Sequence, residues 1–507
     1  MARINTNPSS LIAQRNLAAN NKSLNTTLER LSTGLRINRG KDDPAGLIAS
    51  ESLRSEKAGL TAAITNAERT DQLVNIAEGG LQELSNLLTD LRGLTTQSAN
   101  SAGLSAEEKG ANQLQVDSIL QTIDRLADST NFQGTKLLNG NFDFTTTGVN
   151  AGVSDFRVNG AKIAKGGSQV VQSIITRSAQ TGVLFLSTGA TLNLAGNANL
   201  FTIEVAGANG SRELSFASGT TRADIAIAIN TYKDVTGVSA STFTSGGYST
   251  LKLNSTEYGA DNFVSVKVVN ASGTAGTTGV YVAASATDTA RPNTGAGSTA
   301  FSAATNGVRD IGQDLVATIN GVQATTHGRT ARVNTDFLDV ELTLTRTQAT
   351  SIGSIAAFTI TGGGANFQLA SRVDIAGKVA LGVQNVAARK LGNADIGFLS
   401  DLASGKTNNV VSGDLTGAQK IIDESIKQVS GLRGRLGAFQ KNTVGATIRN
   451  LNISLENTTA AESVIRDADF AAETANLTRS QILSQAAQNS LQLANSAPQS
   501  ALALLRA

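Results

Sequence analysis

The apolar positions near the amino end of the chain form a heptad stripe. Leu17, Leu24, Leu28, Leu31 and Leu35 are separated by seven, four, three and four residues, and Asn, Ser, Thr and Gln occupy most positions between them. This a/d spacing is typical of a helix that packs a thin apolar seam against another helix. The sequence must therefore supply a partner helix.

The partner indicated by the sequence lies at the opposite end of the chain. There, apolar residues fall about one or two helical turns apart among amides and hydroxyls: Leu477, Ile482, Ala486, Leu493 and Ala497. Because an isolated helix with so thin a stripe is marginal in water, we expect packing to hold it in place. Pro498 is expected to bend or end the regular helix before the final leucines, which are Leu502, Leu504 and Leu505.

Two further helices are predicted after the N-terminal one, and the C-terminal helix is predicted to begin near Asp414. Asp43 and Pro44 suit the cap and first position of a long helix, with apolar positions at Leu60, Ile64, Ala67, Val74, Leu81, Leu84, Leu88, Leu91 and Leu94. Gly79 and Gly80 within it indicate close packing or a bend. The next helix carries Val116, Ile119, Ile123 and Leu126. Helical spacing resumes after Asp414 and continues to the C-terminus as one long helix, less regularly beyond Phe439.

Between Thr135 and about Gly405 the pattern changes to period-two alternation, which predicts strands. Over residues 200–269 the predicted order is strand, strand, helix, strand, strand, which makes one α+β unit. The segment 272–302 is rich in Ala, Gly and Thr and indicates a loop or linker. The run 378–386 is interpreted as a strand.

These patterns predict a multidomain α+β protein in which long helical coiled-coil or bundle segments from both ends enclose β-rich outer domains. The length of 507 residues exceeds what one hydrophobic core usually organises. Aromatic residues make up only 4% of the chain and Trp is absent. Thin helical seams and small sheets fit this composition better than broad cores.

Charge gives a second reason to pair the two ends. Up to residue 41 the chain carries basic residues against the single acid Glu29: Arg3, Arg15, Lys22, Arg30, Arg36, Arg39 and Lys41. The C-terminal arm carries Glu462, Asp467, Asp469 and Glu473. Opposite charges favour pairing of the two arms. On charge alone, two solvated faces that never meet are an equal alternative.

Composition excludes most catalytic and metal chemistry. The chain has no Cys and one His, His327, which excludes disulfides, thiol nucleophiles and multi-His metal sites. A net charge of +2 gives no indication of nucleic-acid binding. No apolar run approaches the roughly 20 residues that span a bilayer. We therefore expect no cofactor, no metal, no nucleic-acid partner and no membrane insertion, and we interpret His327 as a solvated turn residue.

Ordered motifs at both ends are similar to those of bacterial flagellins, the subunits of the flagellar filament. The N-terminal motifs are INTN at 4–7, LERLSTGLRIN at 28–38, KDDPAGL at 41–47 and QSAN at 97–100. The C-terminal motifs are IRDADFA at 465–471, SQILSQA at 480–486 and APQSALALLR at 497–506. The resemblance covers about 1–140 and 405–507. The unit at 200–269, with Ala-Ile-Asn at 228–230, resembles the "IN" module of flagellins and hook-associated proteins.

The resemblance implies a division of the chain into five segments. Residues 1–42 and 461–507 would be the inner-tube arms. Residues 43–178, with a β-hairpin, and 363–460 would build the surrounding shell. Residues 179–362 would form β-rich outer domains that include the IN-type module.

The resemblance also implies a function: a structural subunit, not an enzyme, that is secreted through the flagellar type III apparatus and polymerises into the extracellular filament for swimming motility. Its expected partners are other copies of itself, an export chaperone at the C-terminal helix, and the filament cap and hook–filament junction proteins. The expected polymer interface comprises Leu17, Leu24, Leu28, Arg30, Leu31, Leu35, Arg36, Leu477, Ile482, Leu493, Leu502, Leu504 and Leu505. The arms of about 40 residues are expected to be disordered in the monomer and helical in the filament.

One departure from the family concerns immune recognition. Flagellins detected by the Toll-like receptor for flagellin present an arginine, a leucine and, on the following helix, a glutamate. The matching positions here are Asp90, Leu94 and Gln115, while Arg92 remains. Because charge is reversed at one position and lost at another, we expect weakened recognition.

Two other functions stay open from the sequence. A hook–filament junction protein also has helices at both ends that pair, but it assembles into a short ring of subunits. A flagellin with added adhesion or glycosidase activity in its outer domains is compatible with the composition, since a carboxylate-based glycosidase needs neither Cys nor His.

Overall fold

A computed structural model describes residues 6–100, 102–164, 166–188, 190–194, 200–245, 248–271, 279–282 and 298–506. The helices are α1 Pro8–Thr33, α2 Pro44–Ser98, α3 Ala106–Ser129, α4 Arg222–Thr231, α5 Lys233–Thr236, α6 Arg346–Ala349, α7 Leu415–Ala438, α8 Gly445–Arg466 and α9 Phe470–Arg506. Two 3₁₀ turns lie at Ala304–Asn306 and Leu399–Leu402, and one π-helical segment at Phe439–Val444.

The strands of the first half of the β region are β1 Asn131–Phe132, β2 Thr135–Lys136, β3 Phe144–Thr147, β4 Val153–Ala161, β5 Gln169–Arg177, β6 Val183–Ser187, β7 Leu200–Gly207, β8 Gly210–Ala217, β9 Val238–Ser245, β10 Tyr248–Ser255, β11 Phe263–Asn270 and β12 Gly279–Val282. The second half contains β13 Ser298–Ala300, β14 Val308–Ile311, β15 Val316–Ile319, β16 Val322–Gln323, β17 Thr325–His327, β18 Thr330–Asn334, β19 Leu338–Leu344, β20 Gly353–Gly363, β21 Ala365–Gln368, β22 Lys378–Leu381, β23 Gly392–Asn393 and β24 Gly397–Phe398.

The described residues divide into two compact units. The first unit comprises residues 1–72, 367–378 and 437–507, and the second comprises 73–366 and 379–436. The long helix α2 contributes residues to both units. The five segments expected from the sequence remain a prediction.

The predicted seam of α2 is confirmed and is more regular than the apolar residues alone indicate. From Leu60 onward its buried positions step by three and four along the helix: Leu60, Ala63, Ala67, Thr70, Val74, Ala77, Leu81, Leu84, Leu88, Leu91, Thr95 and Ser98. In the first unit, Leu60 and Ala63 pack with Leu451 of α8. Small and hydroxylated residues continue the heptad where no large apolar residue stands.

The predicted single C-terminal helix is wrong, since the chain leaves helical geometry at residues 467–469. Asp467 has extended backbone angles, and the Asp469 carboxylate accepts the Ala471 and Ala472 N–H groups at 2.9 and 3.1 Å, which caps α9. The break lies beside the end of α1, where the Arg36 N–H donates to the Arg466 carbonyl at 2.7 Å. The Ala468 N–H donates to the Gly34 carbonyl at 2.9 Å. Backbone hydrogen bonds therefore join the segment between α8 and α9 to the segment that follows α1.

The backbone also shows what happens at Pro498 and why the helical spacing is irregular beyond Phe439. Pro498 does not end its helix, because α9 continues to Arg506; an interior proline removes a single main-chain donor. The seam beyond Phe439 is irregular because the π-helical segment Phe439–Val444 separates α7 from α8. A π turn uses more residues per turn and shifts the apolar stripe around the helix.

The β region confirms the period-two runs. The order strand, strand, helix, strand, strand appears as β7, β8, α4, β9 and β10, followed by β11 and with the short α5 after α4. The helix α4 begins at a capping box formed by Thr221 and Asp224. In the expected linker 272–302, β12 and β13 pair with each other and β12 pairs with β6, which corrects that expectation for the described part. The run 378–386 is a strand only over Lys378–Leu381.

Two hydrophobic cores organise the strands of the second unit. The first core joins the sheets β13-β12-β6-β10-β9 and β14-β11-β7-β8 with α4, through residues such as Phe201, Ile225 and Leu251. The second core lies between the sheets β16-β15-β5-β20-β3 and β17-β18-β19-β4, and its centre includes Ile175 and Phe358. Alternating burial along β7 and β19 reflects one face packed on a core.

Candidate functional site

The two terminal helices α1 and α9 pack against each other as an antiparallel pair. The inward positions of α1 are buried or half-buried and step by three and four: Ser10, Ala13, Leu17, Asn20, Leu24, Thr27 and Leu31. Those of α9 follow the same rule: Glu473, Leu477, Ser480, Ser484, Ala487, Leu491 and Ala494. Two matching heptad seams define the pair, and hydroxyls, alanines and one carboxylate make up much of it.

Polar side chains cross-link the seam along its length. The Asn20 amide donates to the Leu483 carbonyl at 3.1 Å, and the Ser484 hydroxyl donates to the Asn21 side-chain oxygen at 2.8 Å. At the far end, the Ser10 hydroxyl donates to the Asn495 side-chain oxygen at 2.7 Å. Neutral hydrogen bonds of this kind each contribute on the order of 1 kcal/mol net, so the seam holds the helices together modestly.

Opposite charges of the two arms meet in an ion pair between Arg30 and Glu473, of which only Glu473 is buried. Arg30 of α1 lies 3.1 Å from the carboxylate of Glu473, whose side chain is only 9% exposed. Arg36 donates to the Ile465 carbonyl at 2.7 Å instead of pairing with an acid. Glu462 pairs at 3.4 Å with Lys57, which lies on α2 outside the N-terminal arm. The expected attraction between basic and acidic arms is therefore confirmed at the Arg30–Glu473 contact.

The expected interface residues do not all share one face. Leu17, Leu24, Leu31, Leu35 and Leu477 are half-buried, whereas Leu28 is exposed. Ile482 and Leu493 are 61% and 73% exposed, so the single stripe predicted on α9 divides between two faces. The true seam alternates steps of four and three, while the predicted residues drift around the helix. Leu502, Leu504 and Leu505 belong to α9, and their side chains lie outside the described residues.

Several residues of the pair could not be found from apolar periodicity. The seam positions Ser10, Ser480 and Ser484 are polar, and Glu473 is buried although it is charged. The exposed apolar residues Leu11, Ile12, Phe470 and Leu483 lie outside the predicted stripes. Small and hydroxylated residues also occupy exposed positions of α9, such as Ala475, Thr478 and Ser490, so their recurrence alone does not mark the inward face.

The receptor-equivalent residues lie in the second unit. Asp90, Arg92 and Gln115 are exposed, and Leu94 is half-buried. The Arg92 guanidinium lies 3.5 Å from the Asp423 carboxylate of α7. Both partners are about half exposed, so this pair adds little stability. Asp90 and Gln115 present a carboxylate and an amide to solvent.

Other chemistry is sparse in the described part of the chain. Across those residues, no group of three or more His, Cys, Asp or Glu side chains has the arrangement of a metal site. None of the described helices is long and apolar enough to cross a membrane. His327 ends a strand instead of lying in a turn, and its Nε2 lies 2.8 Å from the Asp261 carboxylate at the surface.

Terminal helices that pair through a partly polar seam and keep large apolar side chains on the outside are suited to a subunit of a helical assembly. Three family models match the chain: "Bacterial flagellin N-terminal helical region" over 4–143, "Bacterial flagellin C-terminal helical region" over 419–505 and "Flagellin hook IN motif" over 201–257. The N-terminal match contains α1, and the C-terminal match contains α9 except its last residue. The third contains β7 except its first residue, and then β8, α4, α5, β9 and β10.

Full-length relatives agree with the family models. B-type flagellin of Pseudomonas aeruginosa is 31% identical over 99% of this chain and 99% of its own length. Flagellin of Salmonella choleraesuis is also 31% identical over 99% of both chains. The solved structure of FliC from Burkholderia pseudomallei is 17% identical, covering 73% of this chain and 99% of that chain with a TM-score of 0.24.

The chain belongs to the bacterial flagellin family. It is a structural subunit of the extracellular flagellar filament, because relatives that match it over 99% of its length are flagellins. The alternatives of a hook–filament junction protein and of a flagellin with added adhesion or glycosidase activity are not favoured.

Proposed function

We propose that the chain polymerises by burying the outward apolar side chains of α1 and α9 against neighbouring copies of itself. The observation that carries the proposal is the division of each helix into two faces. The inward face is satisfied within the protomer by the seam, whereas Leu11, Ile12, Ile482 and Leu493 are each more than half exposed. Burial of one such side chain contributes about 1.5–3 kcal/mol, so a neighbouring subunit would gain stability by covering them.

The expected interface residues then fall into two roles. Leu17, Leu24, Leu31, Leu35 and Leu477, together with Arg30 and Arg36, hold the helix pair within one subunit. Leu28, Ile482 and Leu493 contact the next subunit. A contact between different faces of identical chains is heterologous and propagates into a filament. The final leucines are assigned to the same intersubunit surface.

Seeded polymerisation tests the proposal. Purified Ile482→Ser/Leu493→Ser protein is added to short filament fragments, and elongation is followed by electron microscopy. We expect little or no elongation, because two outward apolar contacts are lost. The matched control replaces two exposed amides of the same helix, Gln485→Ser/Gln492→Ser, and should elongate seeds like the wild type.

Circular dichroism of the two monomers should agree, which separates an assembly defect from misfolding. Long filaments of the Ile482→Ser/Leu493→Ser protein, formed at the wild-type rate, would show that these side chains do not form the intersubunit contact.

The remaining family roles follow from the same proposal. Residues 1–42 and 461–507 form the inner tube, 43–178 and 363–460 the shell, and 179–362 the outward domains. A chaperone covers the outward apolar face of α9 before export, because that face would otherwise be exposed in the cell. The cap and the hook–filament junction proteins contact the growing and basal ends. The role is structural and not catalytic.

A further inference from the structure

The side chain of Asn7 links the two terminal helices through both ends of its amide. Its oxygen accepts the Ser10 N–H at 3.1 Å and thereby caps the start of α1. Its nitrogen donates to the main-chain carbonyl of Ala494 in α9 at 2.7 Å. Asn7 and Ala494 are both half-buried, so these bonds form partly shielded from water.

The Ala494 carbonyl, which Asn7 contacts, lacks its usual main-chain donor. In an α-helix the carbonyl of residue 494 accepts the N–H of residue 498. Residue 498 is proline, which has no N–H, yet α9 remains helical from Phe470 to Arg506. The Ala494 carbonyl is therefore the one acceptor that this proline deprives of its main-chain donor.

We propose that Asn7 is a positioning residue that replaces the hydrogen bond removed by Pro498 and so fixes the register in which α1 and α9 pair. Pro498 leaves one vacant acceptor on α9, and Asn7 is the donor on α1 that meets it. A sliding of one helix along the other would separate the two and leave a half-buried carbonyl unsatisfied, which is unfavourable.

The rest of the seam explains why such a device is useful. Its serines and alanines are similar in size, and contacts such as Ser23 with Ser480, at 3.4 Å between hydroxyl oxygens, can be remade after a shift along the helix. Small, similar side chains specify register weakly, whereas one polar group with a single matching partner specifies it strongly. The Ser10–Asn495 bond lies next to the Asn7–Ala494 bond, so the far end of the pair is fixed at two points.

The proposal makes a chemical prediction about rescue. Asn7→Asp keeps the oxygen that caps α1, and its charge suits a helix N-terminus, but it replaces the donating nitrogen with a second acceptor, so the bond to Ala494 is lost. Pro498→Ala returns an N–H to the Ala494 carbonyl. The effect of Asn7→Asp should therefore be large in the wild-type background and small in the Pro498→Ala background.

The experiment measures the critical concentration for elongation of filament seeds by sedimentation of the full-length chain. We expect Asn7→Asp to raise it about fivefold or more, which corresponds to one net hydrogen bond. The Asn7→Asp/Pro498→Ala chain should return to within about twofold of Pro498→Ala alone. The inference rests on polymerisation of the chain, so the wild type is measured beside each variant.

The matched control is Asn20→Ala. Asn20 also donates across the seam, to the Leu483 carbonyl, but residue 487 is alanine and supplies its own N–H to that carbonyl. Pro498→Ala should therefore leave the effect of Asn20→Ala unchanged. Rescue of both variants to the same extent would mean that Pro498→Ala simply strengthens α9, and would overturn the proposal.

The register of α1 against α9 is measured by the efficiency of disulfide cross-linking between the two helices. The chain has no Cys, so Ser23→Cys/Ser480→Cys provides the only thiols. We expect efficient cross-linking in wild-type filaments, a marked loss with Asn7→Asp, and recovery with Pro498→Ala. Equal cross-linking and equal critical concentrations with and without Asn7→Asp would refute the positioning role. Failure of the wild type to elongate seeds would instead contradict polymerisation itself.

Discussion

Asp143 is a half-buried carboxylate of the second unit that we expect to contribute to the pH dependence of its stability. Its side-chain oxygen accepts the Phe144 N–H at 2.8 Å. Burial raises the pKa of the Asp143 carboxyl above its usual value, while the Phe144 hydrogen bond and the charges of Arg435 and Lys390 oppose the rise. The ionised form is therefore less favourable in the folded chain than in the unfolded chain.

Asp143→Asn should raise the thermal unfolding midpoint of the second unit at neutral pH. The folded-state pKa lies above the unfolded one, so the stabilising contribution of protonated Asp143 is present below the unfolded pKa and is lost as pH rises through the folded pKa. Asn keeps the acceptor for Phe144 and carries no charge. The advantage of the variant should shrink as pH falls below the ordinary aspartate range; calorimetry that finds the same difference at both pH values contradicts this account.

The resemblance to flagellins implies that Asp90 matches an arginine in the flagellins that the Toll-like receptor detects. It is exposed on α2, as is Arg92 beside it. We expect Asp90→Arg to strengthen the response of reporter cells carrying the flagellin receptor at least about tenfold, because charge complementarity governs such contacts. The control is Glu83→Arg, the same charge reversal at an exposed position about two turns earlier on α2. A wild-type response equal to that of Asp90→Arg shows that this position does not limit recognition.

Within the helices, two neighbouring glycines of α2 have different roles. A Cβ added at Gly79 would meet no atom within 4 Å. A Cβ added at Gly80 would lie 2.8 Å from the Thr130 hydroxyl oxygen and 2.9 Å from a methyl carbon of Leu138. The sequence indicated close packing or a bend for the pair, and close packing is confirmed for Gly80.

Gly79→Ala and Gly80→Ala should therefore change stability in opposite directions. Gly79→Ala gains up to about 1 kcal/mol from helix propensity. Gly80→Ala loses about 1–3 kcal/mol, because the overpacked methyl group outweighs that gain. Chemical denaturation followed by circular dichroism measures both. Two variants that shift the midpoint in the same direction would show that packing at Thr130 and Leu138 is looser than the distances indicate.

For the whole chain, we expect the two terminal helices to depend on assembly more than the buried part of α2 does. Their seam is partly polar, and several of their large apolar side chains are outside it. By contrast, Leu81, Leu84, Leu88 and Leu91 of α2 are fully buried within one chain. Elements with few buried apolar contacts open most readily.

Amide hydrogen exchange should therefore distinguish the two regions. We expect residues 17–35 of α1 to exchange rapidly in the monomer and to be protected in the filament, where neighbouring subunits cover their outward face. Residues 81–91 of α2 serve as the internal control and should be protected in both forms. Strong protection of residues 17–35 in the monomer would contradict this expectation.

Much of the architecture could be predicted because helices and strands leave periodic signals. Heptad leucines predicted α1 and most of the α2 seam, alternation predicted β7 and β19, and the motifs at both ends of the chain indicated the family. These features depend on neighbours a few residues apart, which a sequence displays directly. Opposite charges favoured pairing of the two arms but left solvated faces as an equal alternative, and the Arg30–Glu473 contact in the structure decided between them.

Tertiary structure alone decided which face of α9 meets α1. The seam there uses Ser480, Ser484 and Ala487, whose small side chains carry little hydropathy signal, while Ile482 and Leu493 dominate the apolar pattern and lie outside. The break at residues 467–469 and the π-helical segment are likewise stabilised by bonds to distant parts of the chain or by packing. A seam of small residues is recognisable only from the partner that fills it, because complementarity is a property of two surfaces and periodicity of one.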